Sequence, residues 1–411
     1  MRWFTLILAA VVFLGAAAIP ATAADSPRPP KFNVVGNDGV SSLKIGLSAQ
    51  MLYEYYQKDM GDDAHSVYTS TLFFKRIRPS LAGTLVDPRL SFKFQADVAP
   101  GKLDLLDYYV NFKAHEWFAV QAGQYKIPFT RYRLNSYKNL QLVDWPLTAK
   151  YFGGERQMGL QFHNSNHRFF EYQAALLTGM YGDKNGTGLS KVTGEAVLNT
   201  WNMVESQAVN EFHPAVAARV LGKIFEIDTS TVTDFAKKGP RLAVGAGSIY
   251  DANPVVMRDF SFRPAAELFF KAYGASVYGA YFAGFYEQNG EADKRELGMT
   301  GMHVEGGYLA LPWLEVAGRY ARVDVTDTLQ DDAAEYAAAQ IAAADDPDAA
   351  GLQYGKAGSM GSESEAAVGL NFYLRGHAIK LANEAAWLTH VDKDDESLQD
   401  FRFRSMMQVA F

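Results

Sequence analysis

The sequence predicts an all-β fold: a transmembrane antiparallel β-barrel of about sixteen strands, with a long third external loop folded into the lumen. Three observations predict it. The C-terminal strand alternates strictly and ends on Phe411. Strand-length segments run the length of the chain, with short links alternating with long ones. Beyond the N-terminal leader, no apolar run reaches the ~20 residues that a spanning helix needs.

In the last strand Phe401, Phe403, Ser405, Met407, Val409 and Phe411 share one side, and Arg402, Arg404, Met406, Gln408 and Ala410 share the other. Successive strand side chains point to opposite faces, so an apolar face for lipid is set against a largely polar face for a lumen. At the other end, Arg2, an apolar run from Leu6 to Ala18, and Ala21-Thr22-Ala23 have the layout of a secretory leader. Residues 1–23 are therefore expected to be a signal peptide, cleaved after Ala23 or Ala24. Residues 25–40 are expected to form an N-terminal periplasmic segment and residues 41–411 the barrel.

The strands follow in order near 43–56, 68–86, 89–98, 104–113, 117–126, 156–163, 168–178, 214–224, 241–250, 262–271, 274–287, 298–310, 314–323, 363–374, 378–391 and 400–411. Short links belong to the periplasmic side and long ones to the exterior. The link at 225–240 breaks that phase, being too long for its side. The longest links are 127–155, a Gly-rich stretch at 179–211 and an acidic, Ala-rich stretch at 324–362. An even count near sixteen leaves an open aqueous channel.

Composition narrows the alternatives. Aromatic residues make up 13% of the chain, which suits strands and interfacial girdles. With no cysteine, disulfides and thiolate metal sites are excluded. The net charge of −7 is too modest and too mixed for a nucleic-acid partner. The eight histidines fall in no metal-binding spacing, and no G-x-S-x-G elbow occurs, so neither enzyme activity nor a cofactor is expected.

Alternation assigns the lumen face. Phe74, Arg76, Arg78, Ser80, Ala82 and Thr84 point inward on the second strand, with Lys75 left outside to snorkel at an interface. Lys93, Asp107, Tyr109, Asn111, Lys113, Gln161, Glu315, Arg319, Arg402 and Arg404 also face inward. A charge facing lipid at midplane would cost about 2–4 kcal/mol. The link 127–155 carries Arg131, Arg133, Lys138 and Lys150, flanked by Lys126 and Arg156, against only Asp144 and Glu155. The predicted anion pathway is accordingly Arg76, Arg78, Lys93, Lys126, Arg131, Arg133, Lys138, Lys150, Arg319, Arg402 and Arg404. Any of the wall arginines could instead brace the wall against Asp97, Asp107 or Glu315.

Between 72 and 162 the chain reads LFFKRIRPSLAGTL, LDYYVNF, AGQYKIPF and GERQMGLQF. In this order the segments resemble the phosphate-selective porin O/P family of outer-membrane proteins. Arg76, Arg78, Gly83, Asp107, Tyr109, Gly123, Gln124, Lys126, Pro128, Phe129, Arg156 and Gly159 occupy the matching positions. VAGRYARVD around Arg319 and the terminal FRFRSMMQVAF are also similar. The resemblance implies a passive channel of the bacterial outer membrane for small hydrophilic solutes, assembled as a homotrimer and preferring phosphate or other small anions. A terminal aromatic such as Phe411 is an assembly signal in outer-membrane proteins, so the barrel assembly machinery is an expected partner. Outer-membrane lipid and lipopolysaccharide are the others, the acidic loops reaching lipopolysaccharide through divalent cations. Those acidic loops keep open a general or cation-preferring pore. A soluble β-rich binding protein or adhesin is the remote alternative.

Overall fold

The structure, a computed structural model, describes residues 32–59, 66–99, 101, 103–153, 156–164, 167–178, 214–251, 260–287, 296–326 and 360–411, with a few single positions between 334 and 342. The expected signal peptide, the Gly-rich link at 179–211 and most of the acidic external links lie outside the described residues.

The strands are β1 (Phe32–Val35), β2 (Ser42–Asp59), β3 (Ser66–Leu85), β4 (Asp87–Asp97), β5 (Asp104–His115) and β6 (Phe118–Lys126). They continue with β7 (Arg156–His163), β8 (Phe170–Leu177), β9 (Ala215–Ile224), β10 (Arg241–Asp251), β11 (Phe260–Ala272) and β12 (Ala275–Glu287). The last are β13 (Glu296–Leu311), β14 (Leu314–Val325), β15 (Met360–Arg375), β16 (Ile379–Asp392) and β17 (Ser397–Ala410). From β2 onward each strand pairs antiparallel with the next, and β17 pairs back onto β2 through Phe403↔Tyr55 and Val409↔Ala49. That return pairing closes a sixteen-strand barrel and leaves it without an open edge. β1 is additional. It lies in the segment 25–40, where no strand is predicted, and it pairs with the start of β2 through Phe32↔Ile45.

Alternation works as the period requires. On β14, Val316 and Tyr320 are exposed on the outer surface, while Glu315, Ala317, Arg319 and Ala321 are buried inside. On β3 one expectation fails. The β2–β3 register shifts between Gln50 and Met51, pairing Gln50 with Arg76 and Met51 with Phe74. A bulge adds a residue and inverts the parity of what precedes it. Lys75 therefore turns inward and donates to Asp144 Oδ2 at 2.5 Å, and Phe74 goes to the outer face. Lys75 is not an interfacial, snorkelling lysine.

The link 127–155 contains α1 (Arg131–Leu134), a 3-10 turn (Tyr137–Asn139) and α2 (Leu147–Tyr151). Thr130 caps α1 by accepting from the Arg133 N–H, and Ser136 caps the turn by accepting from Lys138 N. These short pieces hold their shape by burial. Ile127, Phe129, Tyr132, Leu147, Tyr151 and Phe152 join Phe269, Tyr278, Phe282 and Met299 of the inner wall in one apolar core. The Tyr132 ring stacks on Tyr278 at 4.6 Å, and Phe152 on Phe282 at 5.2 Å. The link 225–240 contributes Ile227 and Val232 to the same core, so its excess length is spent inside the barrel.

Candidate functional site

A loop inside a barrel buries its own backbone, and each buried carbonyl needs a donor. The polar inner wall supplies them one after another. Lys126 Nζ donates to Arg133 O and Asn135 O at 3.1 and 2.6 Å. Gln408 donates to Lys138 O, Lys380 to Leu140 O, Asn371 to Gln141 O, and Arg319 to Asp144 O, all within 3.2 Å. In the other direction Arg131 N donates to Glu267 at 2.7 Å and Val143 N to Glu384 at 3.1 Å. The loop is thus stitched along β11, β14, β15, β16 and β17.

It also needs room. Gly247 on β10 lies directly against the Phe129 carbonyl, and Gly301 and Gly369 lie under the Phe152 ring and Leu142, so a β-carbon at any of them would collide. Gly247→Val is expected to lift the loop from the wall at a stability cost of about 1–3 kcal/mol, the usual range for overpacking. Single-channel conductance should fall with it, because the loop is pushed toward the open side of the lumen. An unchanged conductance would mean that the loop does not limit the pore. Gly123, in the GQYKIPF segment, has φ +124°, and a side chain there would strike the Tyr108 carbonyl. This is a reason for glycine at that place.

Because the loop covers β11–β17, open space remains on the opposite side. A cavity of about 740 Å³ is bounded by β4–β8 and by the loop residues Arg131, Leu134, Ser136, Tyr137, Lys138 and Asn139. It runs from the short-link end, at His115, Glu116 and Asn164, up to Lys126, Arg131 and Arg156 beneath the loop. Its charged lining is Lys93, Lys113, Lys126, Arg131, Lys138 and Arg156 against Asp107 and Glu116, six cations to two carboxylates. Asp107 is itself held between Arg156 Nε at 2.6 Å and Lys93 Nζ at 2.5 Å. Lys126 and Arg156 face each other as the last rung of the β6–β7 ladder, where the loop leaves and returns.

Of the eleven residues predicted for the pathway, Lys93, Lys126, Arg131 and Lys138 line this cavity. The others lie elsewhere. Arg78 pairs with Asp97 at 2.6 Å, and Arg76 with Asp144 at 3.0 Å. Arg133 packs over the Trp145 ring at 4.8 Å, and Lys150 is exposed on α2. Arg319 is fully buried between Glu305 and Glu365, at 3.0 and 2.7 Å, and Arg402 and Arg404 pair with Glu365 and Glu384. These three arginines brace the wall and do not line the cavity, because carboxylates on β13, β15 and β16 reach them first. Lys113 and Arg156 are lining residues absent from the predicted set. Inward alternation marked Lys113 in the sequence, and the loop-closing position marked Arg156.

Asp144 anchors the far side of the loop. Burial would raise its carboxyl, but Lys75, Arg76 and Arg404 outweigh that and hold it well below the usual carboxylate range. A lowered carboxylate gives stability that is present above its ordinary value and lost only as pH falls through the lowered one. This anchor therefore survives mild acid.

Among known proteins, a family described as phosphate-selective porin O and P matches residues 44–411. No curated protein matches. Many solved structures share the fold, among them the following three at low identity. The outer membrane channel DcaP of Acinetobacter baumannii is 12% identical, with a TM-score of 0.53, covering 92% of this chain and 99% of its own. OprB of Pseudomonas putida is 11% identical, with a TM-score of 0.57, covering 90% and 94%. An anion-selective porin from Comamonas acidovorans is 12% identical, with a TM-score of 0.52, covering 90% and 100%.

Proposed function

Since the chain belongs to the phosphate-selective porin O and P family, and is thus an outer-membrane channel, we propose that it passes small hydrophilic solutes passively with a preference for anions. The observation that carries this reading is the lining of the open cavity, six cations against two carboxylates. Charged rings of one sign favour counter-ions, and confined charges are screened less than those on an exposed rim. In this reading Lys93, Lys113 and Lys138 set the field along the route, while Lys126, Arg131 and Arg156 act at its end beneath the loop. The chain acts as a channel and carries out no catalytic step. It assembles as a homotrimer, is inserted by the barrel assembly machinery through the strand ending at Phe411, and contacts lipopolysaccharide at its outer rim.

The test is the reversal potential of the purified protein in a planar bilayer under a KCl gradient, with phosphate added as a competitor. Anion selectivity, with chloride current reduced by phosphate, is the expected result. Cation selectivity would overturn the preference and favour a pore governed by the acidic external links.

A further inference from the structure

Among the described short-side connections, the link 225–240 is the one that contributes to the core inside the barrel, and the cavity lining above includes none of its residues. We propose that this periplasmic turn is a second selectivity-determining element: it seals the half of the lumen behind the loop, so that solutes must take the cation-lined route. The inference rests on the chain being a channel and is independent of the sign of its ion preference.

The turn meets the loop from below. Asn135 Nδ2 donates to Thr229 O at 2.8 Å, Asn139 Nδ2 to Ser230 O at 3.1 Å, and Thr231 Oγ1 to Asn139 O at 3.2 Å. It is fixed to the wall as well. Thr233 Oγ1 donates to Glu315 at 3.2 Å, Lys271 Nζ donates to Thr233 O at 3.1 Å, and Asp234 accepts from Arg241 at 2.7 Å and from Gly274 N at 2.9 Å. Turn and loop therefore close on each other through paired polar groups, which makes the turn a strut.

The polar groups behind them are buried. Glu315 is 0% exposed, Lys380 1%, Lys271 2% and Thr233 1%. Glu315, Lys380 and Lys271 are ionisable groups on the inner wall, and such positions in a barrel of this size ordinarily face an aqueous lumen. Without the turn, the short-link end of this half would open beneath the loop onto a lining of both signs. A second route lined by both signs would add conductance and dilute selectivity.

The experiment replaces residues 227–238 with Gly-Asn and confirms folding by heat-modifiable mobility in detergent. Single-channel conductance should rise and the anion-to-cation permeability ratio should move toward one, since an added opening lined by both signs carries less selective current. Unchanged conductance and ratio would overturn the proposal and leave the turn a brace. A second measurement needs no shortened turn. The chain has no cysteine, so Thr233→Cys gives a single thiol in the sealed region. It should resist a charged, water-soluble thiol reagent that readily modifies Lys113→Cys in the open cavity. Equal reactivity at the two positions would show that the compartment is not sealed.

Discussion

Replacing Lys93 with Gln and both Lys113 and Lys138 with Glu should convert an anion-favouring channel into a cation-favouring one. The lining would change from six cations and two carboxylates to three cations and four carboxylates. These positions can change with little effect on folding. Asp107 keeps Arg156 at 2.6 Å when Lys93 becomes an amide, and Lys113 and Lys138 are not fully buried. Two unit charges 4 Å apart in bulk water interact by about 1 kcal/mol. Several altered charges along a confined path should therefore move the permeability ratio by at least about tenfold, or about 1.4 kcal/mol. Reversal potentials under a KCl gradient read this directly. Arg402→Gln is the control, since that side chain pairs with Glu365 away from the cavity. If the triple variant stayed anion-selective, or the Arg402 change shifted selectivity as much, the route would not run along β4–β8.

Arg319→Gln should be the most destabilising single change in the wall. Its guanidinium lies 3.0 Å from Glu305 and 2.7 Å from Glu365, and it also donates to Asp144 O. Arg402 and Arg404 would still serve Glu365 and Glu384, but Glu305 would keep only the Tyr132 hydroxyl at 2.7 Å. Removing one partner of a buried ion pair costs about 3–5 kcal/mol, because the carboxylate left behind is uncompensated. The heat-modifiable transition should fall in temperature and the urea midpoint should drop. Glu305→Gln in the same chain should recover much of the loss, since the double variant buries no unpaired charge. Full stability in the single variant would show that water reaches this cluster, contrary to the buried positions of Arg319 and Glu305.

The strands are written in the residue order. Period-2 alternation is local, and each face needs a different solvent, so the sixteen barrel strands, most of their faces and the long third link could be read from residue order alone. The inward direction of Asp107, Tyr109, Asn111 and Lys113 followed from the same rule, as did that of Arg319. What the inward groups do depends on packing across the closed barrel. Arg319 and Lys93 carry the same charge sign on the same face, yet one is sealed among carboxylates from three other strands while the other borders open space. That difference depends on which side of the lumen the loop covers, and so on the room at Gly247, Gly301 and Gly369 and on donors as distant in sequence as Lys380 and Gln408. Lys75 escaped the sequence reading because a bulge is a local choice of register with no mark in the alternation. The turn at 225–240 showed itself only as a link too long for its side. Its inward path is fixed by contacts with Asn135, Asn139 and Glu315, which come near it only once the barrel has closed.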